Sequence, residues 1–111
     1  MRIRIAALAV ASTLALASMN ANAVIDDTRA QQIMNKSGCG ACHAVDKKLV
    51  GPSYREVAEK QKRQKGAVAT LVKKVRSGGA GVYGQIPMPP NAPGQISDED
   101  LKSMVEWVLS K

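Results

Sequence analysis

The feature of this sequence that most restricts its fold is a pair of cysteines followed at once by a histidine, Cys39-Gly40-Ala41-Cys42-His43. Two residues separate the thiols, so one helical turn places both sulfurs on the same face. At that spacing the sulfurs can bond to the two vinyl groups on one edge of a haem, and the imidazole can bind its iron. The pentapeptide therefore predicts a covalently attached c-type haem with His43 as an axial iron ligand.

Other chemistries use the same residue types. Two cysteines in an exported protein form a disulfide by default, and a Cys-x-x-Cys pair is also a thiol–disulfide oxidoreductase site. The oxidoreductase requires a βαβ context, whereas the rest of this sequence has a helical pattern. A zinc site would have three ligands, Cys39, Cys42 and His43, with no evident fourth. Nucleic-acid binding is not expected, because aromatic side chains are not interleaved with the basic residues.

The N-terminal segment has the pattern of a secretory signal peptide. Arg2 and Arg4 precede an uncharged apolar run at residues 5–19, and Ala21-Asn22-Ala23 matches a small-x-small cleavage site. A membrane anchor is the alternative, but this run of 15 residues is shorter than the roughly 20 that a spanning helix needs. We expect residues 1–23 to be cleaved after Ala23. Residues 24–111 then form one periplasmic domain without stable membrane insertion.

The predicted mature chain is small, basic and poor in aromatic residues. Without Arg2 and Arg4 it keeps 14 of the 16 basic residues against 9 acidic ones, a net charge of about +5 before any cofactor charge. It has one Trp, two Tyr and no Phe, and the core of so small a domain is marginal. A large planar apolar cofactor would supply the missing core, and the positive charge would favour partners with acidic surfaces.

The hydrophobic pattern predicts four helices and no strands, so we expect an all-α domain. The predicted helices cover residues 26–37, 53–60, 67–77 and 97–110. The segment at 78–96 is rich in Gly and Pro and is predicted to be irregular, which in a small domain is typical of a functional loop. The basic segment at 61–66 is interpreted as a solvated connector, with docking to a partner as the alternative.

The sequence offers few candidates for the second axial ligand. His43 is the only histidine, and the methionines left after processing are Met34, Met88 and Met104. Met34 and Met104 lie on apolar faces of predicted helices, where methionine usually fills the core. Met88 has prolines on both sides, in a stiff segment that suits holding a sulfur against iron, although it could also only pack beneath its loop. An open sixth position would instead permit a haem sensor or a peroxidase-like protein.

Three motifs in this order resemble the short bacterial class I cytochromes c of the c-551 type. They are the pentapeptide at 39–43, Val50-Gly51-Pro52-Ser53-Tyr54 and Ile86-Pro87-Met88-Pro89-Pro90-Asn91, and residues 100–109 resemble the family's C-terminal helix. The resemblance implies the small all-α class I fold, with helices wrapped around one covalently attached haem c and the terminal helices crossing near Gly38. It also implies a one-electron carrier between respiratory redox partners, and not an enzyme.

The resemblance assigns roles around the iron. It implies thioethers at Cys39 and Cys42, and it makes His43 and Met88 the axial ligands. The Pro52 carbonyl would accept a hydrogen bond from the second ring nitrogen of His43.

Further from the iron, the resemblance places Asn91 near the Met88 sulfur and Trp107 in the core where the terminal helices meet. Lys74 and Tyr83 occupy positions where family members often have Arg and Trp beside a haem propionate. Lysine lacks the planar fork of Arg, so the two are not equivalent there. Residues 93–95 resemble a small insertion. The resemblance implies larger redox proteins as partners, such as a nitrite reductase, a terminal oxidase or a peroxidase. We expect the protein to be a monomer.

Overall fold

The computed structural model describes residues 23–111, which form four α-helices and one short 3-10 turn. The helices are α1 (Asp27–Ser37), α2 (Tyr54–Gln61), α3 (Ala67–Ser77) and α4 (Asp98–Leu109), and the 3-10 turn covers Cys39–Ala41. Each helix begins and ends within one residue of its predicted range. The described residues contain no strand beyond two isolated bridges, so the all-α prediction is confirmed. The predicted signal peptide lies outside the described residues, except for Ala23.

Side-chain caps explain where three of the helices begin. Asp26, Ser53 and Ser97 have extended backbone, and each side chain accepts a hydrogen bond from the backbone N–H three residues later, at 2.7–3.1 Å. Such a cap stabilises a helix by about 1 kcal/mol. α3 begins instead after Gly66, which has a φ of 73° and offers no side-chain cap.

The core lies along α4, which packs against the other three helices. The predicted apolar faces of α1 and α4 are both buried: Ala30, Ile33, Met34 and Ser37, and Leu101, Met104, Val105 and Val108. On α3 only Leu71 of the predicted face is buried, while Val68, Val72 and Val75 are partly exposed. Val75 is partly exposed because it lines a large cleft beside α3, whereas Val68 and Val72 do not line that cleft.

The terminal helices contact each other, and Trp107 lies in the core at their junction, as the resemblance implied. Trp107 of α4 is buried, and its indole Nε1 donates to the Asp27 carboxylate at the start of α1, at 2.9 Å. Just before α4, Gln95 donates to the Ser37 carbonyl at 3.2 Å, next to Gly38, whose φ of 77° ends α1. Within residues 23–111, no helix combines the length and the apolar character needed to cross a membrane.

Candidate haem site

The cleft beside α3 has a volume of about 1380 Å³, which includes its open mouth. One wall is the pentapeptide and the segment that follows it. The second wall is the inner face of α4, and the loop between α3 and α4 closes the third side. Apolar side chains make up much of the lining, as is typical of sites that bind organic cofactors. The cleft is therefore suited to a large, flat, apolar group.

The pentapeptide turns both thiols and the imidazole into this cleft. The Cys39 carbonyl accepts hydrogen bonds from the backbone N–H groups of Cys42 and His43, at 3.2 and 3.0 Å, and all three side chains line the cleft. Both thiols are partly buried, and burial raises the pKa of the Cys39 thiol above its ordinary value. A thiol–disulfide oxidoreductase needs the opposite shift. The geometry favours attachment of a group at the two sulfurs.

Three neighbours fix the orientation of the His43 ring. Its Nδ1 donates to the Pro52 carbonyl at 2.8 Å, since a carbonyl only accepts, and this leaves Nε2 as the nitrogen that can bind a metal. The Tyr54 ring stacks on it, with centroids 5.3 Å apart and an interplanar angle of 19°. A Cβ at Gly51 would lie 2.5 Å from His43 Cε1, so only glycine lets the chain pass this close to the ring.

The core supports the stacking partner of His43. The Trp107 ring meets Tyr54 edge-on, at a centroid distance of 5.7 Å and an angle of 80°. On its outer side, Lys111 Nζ lies 4.3 Å from the centre of the Trp107 ring and 3.0 Å from Asp27 Oδ1. Hydrogen bonds from Lys111 and then Trp107 lower the pKa of Asp27. An aromatic stack thus links His43 to the junction of the terminal helices.

The structure separates the three candidate methionines. Met88 lines the cleft from the loop between α3 and α4, whereas Met34 is buried in α1 and does not. Met104 also lines the cleft, but it projects from α4 as part of the apolar core. The backbone of Met88 is held by two hydrogen bonds with Gly79, at 2.9 and 3.0 Å. The loop therefore fixes Met88 in place although it has no regular secondary structure.

A second glycine, Gly78, makes these backbone hydrogen bonds between Gly79 and Met88 possible. Gly78 has a φ of 66°, and a Cβ there would overlap the Met88 carbonyl oxygen and lie 2.8 Å from Pro90 N. Gly78 thus lets α3 end directly against the Met88 loop.

Asn91 is buried beside the cleft and does not line it. Its side-chain amide donates to the carbonyls of Val75 and Pro89, at 3.2 and 3.1 Å, and its backbone N–H donates to Val75 as well. Both amide hydrogens are thus directed at backbone oxygens. Asn91 fastens the Met88 loop to α3, and the expected contact with the Met88 sulfur stays a prediction.

The structure brings Lys74 and Tyr83 to one edge of the cleft. The Tyr83 hydroxyl is buried and makes no hydrogen bond among the described residues. Burial raises its pKa, and the nearby Gln61 side chain lies outside hydrogen-bonding geometry. A buried phenol without a partner is costly unless a bound group satisfies it. A carboxylate of the bound group, such as a haem propionate, would accept from this hydroxyl, and the Lys74 ammonium would balance its charge.

The donor set and the shape of the cleft therefore fit a c-type haem, and comparison with known proteins agrees. A family model described as cytochrome c matches residues 28–111.

The chain belongs to the cytochrome c family.

Its relatives include cytochrome c2 of Rubrivivax gelatinosus, 45% identical over 70% of this chain and 92% of the relative. Cytochrome c-551 of Pseudomonas aeruginosa is 47% identical over 71% of this chain and 73% of the relative. The crystal structure of Nitrosomonas europaea cytochrome c552 matches with a TM-score of 0.66 and 40% identity, over 72% of this chain and 96% of that one. This cytochrome c is thus a small class I monohaem protein of the c-551 type. It carries one covalently attached haem c and transfers electrons to redox partners without being an enzyme.

Two supporting residues of this cytochrome c could not be predicted from the sequence. Arg76 donates to the carbonyls of Asn91 and Ile96, at 3.1 and 2.8 Å, and pairs with Asp98 at 2.6 Å. It therefore ties both ends of the segment between Met88 and α4 to α3. Lys60 donates to the Val82 carbonyl at 2.9 Å. In the sequence both are ordinary surface cations on helices, and nothing in the pattern marks their distant carbonyl partners.

Proposed function

We propose that this cytochrome c is an exported one-electron carrier of the periplasm, with His43 and Met88 as the axial ligands of its iron. The observation that carries the proposal is one cleft lined together by Cys39, Cys42, His43 and Met88. When bound, the haem supplies an Fe(II)/Fe(III) couple. Two strong protein ligands leave no position for a substrate, and a thioether raises the reduction potential relative to a second imidazole.

The protein's own residues keep the side chains of the two proposed iron ligands in fixed positions. Pro52 and Tyr54 fix the imidazole, and the backbone bridge between Gly79 and Met88 holds the thioether. Little rearrangement is then needed when the iron changes its charge, since both ligands are positioned in advance. Cys39 and Cys42 would hold the haem edge as thioethers, so the cofactor does not dissociate.

Exposed apolar side chains around the cleft support the cleft mouth as the proposed place where electrons enter and leave. Val50, Val82 and Ile86 line the cleft and are 53%, 47% and 68% exposed. Apolar residues around a cofactor mouth are typical of contact sites for transient partners. We propose that the partners are larger redox proteins, such as a nitrite reductase, a terminal oxidase or a peroxidase, and that the carrier is a monomer.

The proposed location depends on the N-terminal pattern. Residues 1–23 would be removed after Ala23, which leaves residues 24–111 as the mature cytochrome c domain. The family match begins at residue 28, so the removed segment lies outside the matched domain.

The ligation is tested by Met88→Ala, with Met104→Leu as a matched control in the other methionine of the cleft. In Met88→Ala we expect the ferric protein to lose its far-red sulfur–iron absorption band. The potential should fall by tens to hundreds of millivolts, within the roughly 0.8 V range that axial ligands span. Met104→Leu conserves volume and should keep both properties. An unchanged band in Met88→Ala, or its loss in Met104→Leu, would refute the assignment and reopen the sensor or peroxidase-like alternative.

A further inference from the structure

The segment that follows Met88 has few backbone groups with which to fasten itself. Prolines lie on both sides of Met88, and proline has no N–H group to donate. Met88 itself pairs with Gly79. The next N–H group along the chain belongs to Asn91, because two prolines lie between, and it donates to the Val75 carbonyl at 3.1 Å. The far end of the Met88 loop therefore depends on side chains for its other attachments to α3.

Arg76 supplies such attachments from the last turn of α3. Its Nη1 donates to the carbonyls of Asn91 and Ile96, at 3.1 and 2.8 Å, and its Nη2 donates to the Asp98 carboxylate at 2.6 Å. Arg76 lies at the C-terminal end of α3 and Asp98 at the N-terminal end of α4, where the helix dipoles favour a cation and an anion respectively. The guanidinium therefore joins α3 to both ends of the segment that leads from Met88 to α4.

The turn that Arg76 closes covers residues 92–95 and includes the positions that resemble an insertion. Within it, the Ala92 carbonyl accepts a hydrogen bond from the Gln95 backbone N–H at 2.9 Å. The Gln95 side chain donates to the Ser37 carbonyl at the end of α1, at 3.2 Å. The turn is thus attached to α3 on one side and to α1 on the other, and α1 ends directly before the pentapeptide.

The two bonds to carbonyls, and not the ion pair, carry the effect of Arg76. The Arg76 side chain is 20% exposed, whereas that of Asp98 is 91% exposed, and an ion pair with so exposed a partner contributes little. Asn91 and Ile96 are both buried, so their carbonyls would have limited access to water without Arg76. Loss of a charged donor from such acceptors is costly.

We propose that Arg76 is a positioning residue for the iron, which sets how often the Met88 thioether releases its coordination position. The proposal rests on the ligation of the iron by Met88 proposed above. An external ligand can take the sixth position only while the sulfur is away, and the Met88 loop must then loosen from α3. Such local openings need less free energy than global unfolding. By raising the free energy of this opening, Arg76 keeps the site closed to external ligands.

The test measures how fast imidazole replaces Met88 in the ferric, haem-loaded protein. Loss of the far-red sulfur–iron band is followed by stopped flow at imidazole concentrations high enough for the rate to be limited by release of the sulfur. In Arg76→Gln this limiting rate should rise about 10- to 100-fold, from the usual strength of hydrogen bonds with a charged donor. Arg76→Lys keeps the charge but not the planar fork, so its rate should lie between those of Arg76→Gln and the wild type.

Two further variants are controls. Asp98→Asn removes the ion pair but leaves both carbonyl bonds of Arg76, so its rate should rise less than about fivefold. Arg29→Gln makes the same substitution in an arginine that pairs with Asp100 on α4 instead, and its rate should stay within about twofold of the wild type. Equal acceleration in Arg76→Gln and Arg29→Gln would mean that Arg76 only stabilises the fold, and an unchanged rate in Arg76→Gln would also overturn the proposal.

Hydrogen exchange of the wild-type protein gives a measurement that needs no variant. The Asn91 backbone N–H should exchange through a local opening, faster than the amides in the middle of α4, such as that of Met104. Exchange of Asn91 only through global unfolding would overturn the proposal. A wild-type ferric protein without the sulfur–iron band would refute the ligation by Met88 itself, whereas a normal band with an unchanged rate in Arg76→Gln refutes only the role of Arg76.

Discussion

Gly51→Ala is the substitution whose effect on the iron ligand follows most directly from the structure. The new Cβ would lie 2.5 Å from His43 Cε1, 2.9 Å from Nδ1 and 3.1 Å from Nε2. Ordinary contacts begin near 3.4 Å, so the ring or the chain must move by about 0.9 Å. Tyr54 stacks on the ring and limits its retreat, so the hydrogen bond from Nδ1 to Pro52 O is stretched or lost.

The expected cost of Gly51→Ala combines two contributions. Loss of a hydrogen bond costs about 0.5–1.5 kcal/mol, and overpacking costs about 1–3 kcal/mol. The free energy of unfolding should therefore fall by about 2–4 kcal/mol, and the thermal midpoint by roughly 10–25 °C for a domain of this size. Because donation from Nδ1 makes the imidazole a stronger iron ligand, its loss should also raise the reduction potential.

Guanidinium unfolding, voltammetry and the NMR signal of the His43 Nδ1 proton measure these effects. Gly94→Ala is the matched control, since a Cβ there meets nothing within 4 Å and its φ is not positive. That variant should be neutral or slightly stabilised, because alanine restricts the unfolded chain. If Gly51→Ala unfolds like Gly94→Ala and keeps the wild-type proton signal, the close approach to His43 does not restrain the ring.

Two further predictions concern the Met88 loop and the junction of the terminal helices. Gly78→Ala places a Cβ onto the Met88 carbonyl at a φ of 66°, so the sulfur–iron band should disappear in mild denaturant before the helices unfold; simultaneous loss of both signals would contradict a local role. Asp27→Asn removes a carboxylate whose pKa is lowered by Lys111 and Trp107. Because the Asp27 pKa is lower in the folded protein than its ordinary value of 3.8, the ionised carboxylate stabilises the fold at pH values above 3.8. That stabilisation is lost as the pH falls through the pKa of Asp27 in the folded protein. The thermal midpoints of wild type and Asp27→Asn should therefore differ at pH 7 and converge as the pH falls below 3.8, and a constant difference would refute the effect.

Local sequence signals were sufficient for the helices, and they singled out residues that line the cleft. The spacing of Ala30, Ile33 and Met34 predicts the buried face of α1, because a helix with one core side has that period. Ser53 and Ser97 mark helix starts because their hydroxyls cap the following turn. Met88 stands out since its flanking prolines exclude a helix.

The remaining features depend on contacts between residues distant in sequence. The α3 pattern predicts an apolar neighbour for Val75 but does not distinguish protein from cofactor, so its partial exposure could not be predicted. Arg76 and Lys60 bind backbone carbonyls 15 to 22 residues away, and any carbonyl offers the same chemistry. The position of the Asn91 amide against Val75 and Pro89 likewise follows from how the loop folds back on α3.

Covalent haem attachment is tested most directly by the intact mass of the purified mature protein under denaturing conditions. Thioethers at Cys39 and Cys42 with cleavage after Ala23 predict the mass of residues 24–111 plus one haem, retained without any non-covalent contact. A mass equal to the chain alone, or to the chain less two hydrogens for a Cys39–Cys42 disulfide, would contradict covalent haem attachment at these cysteines.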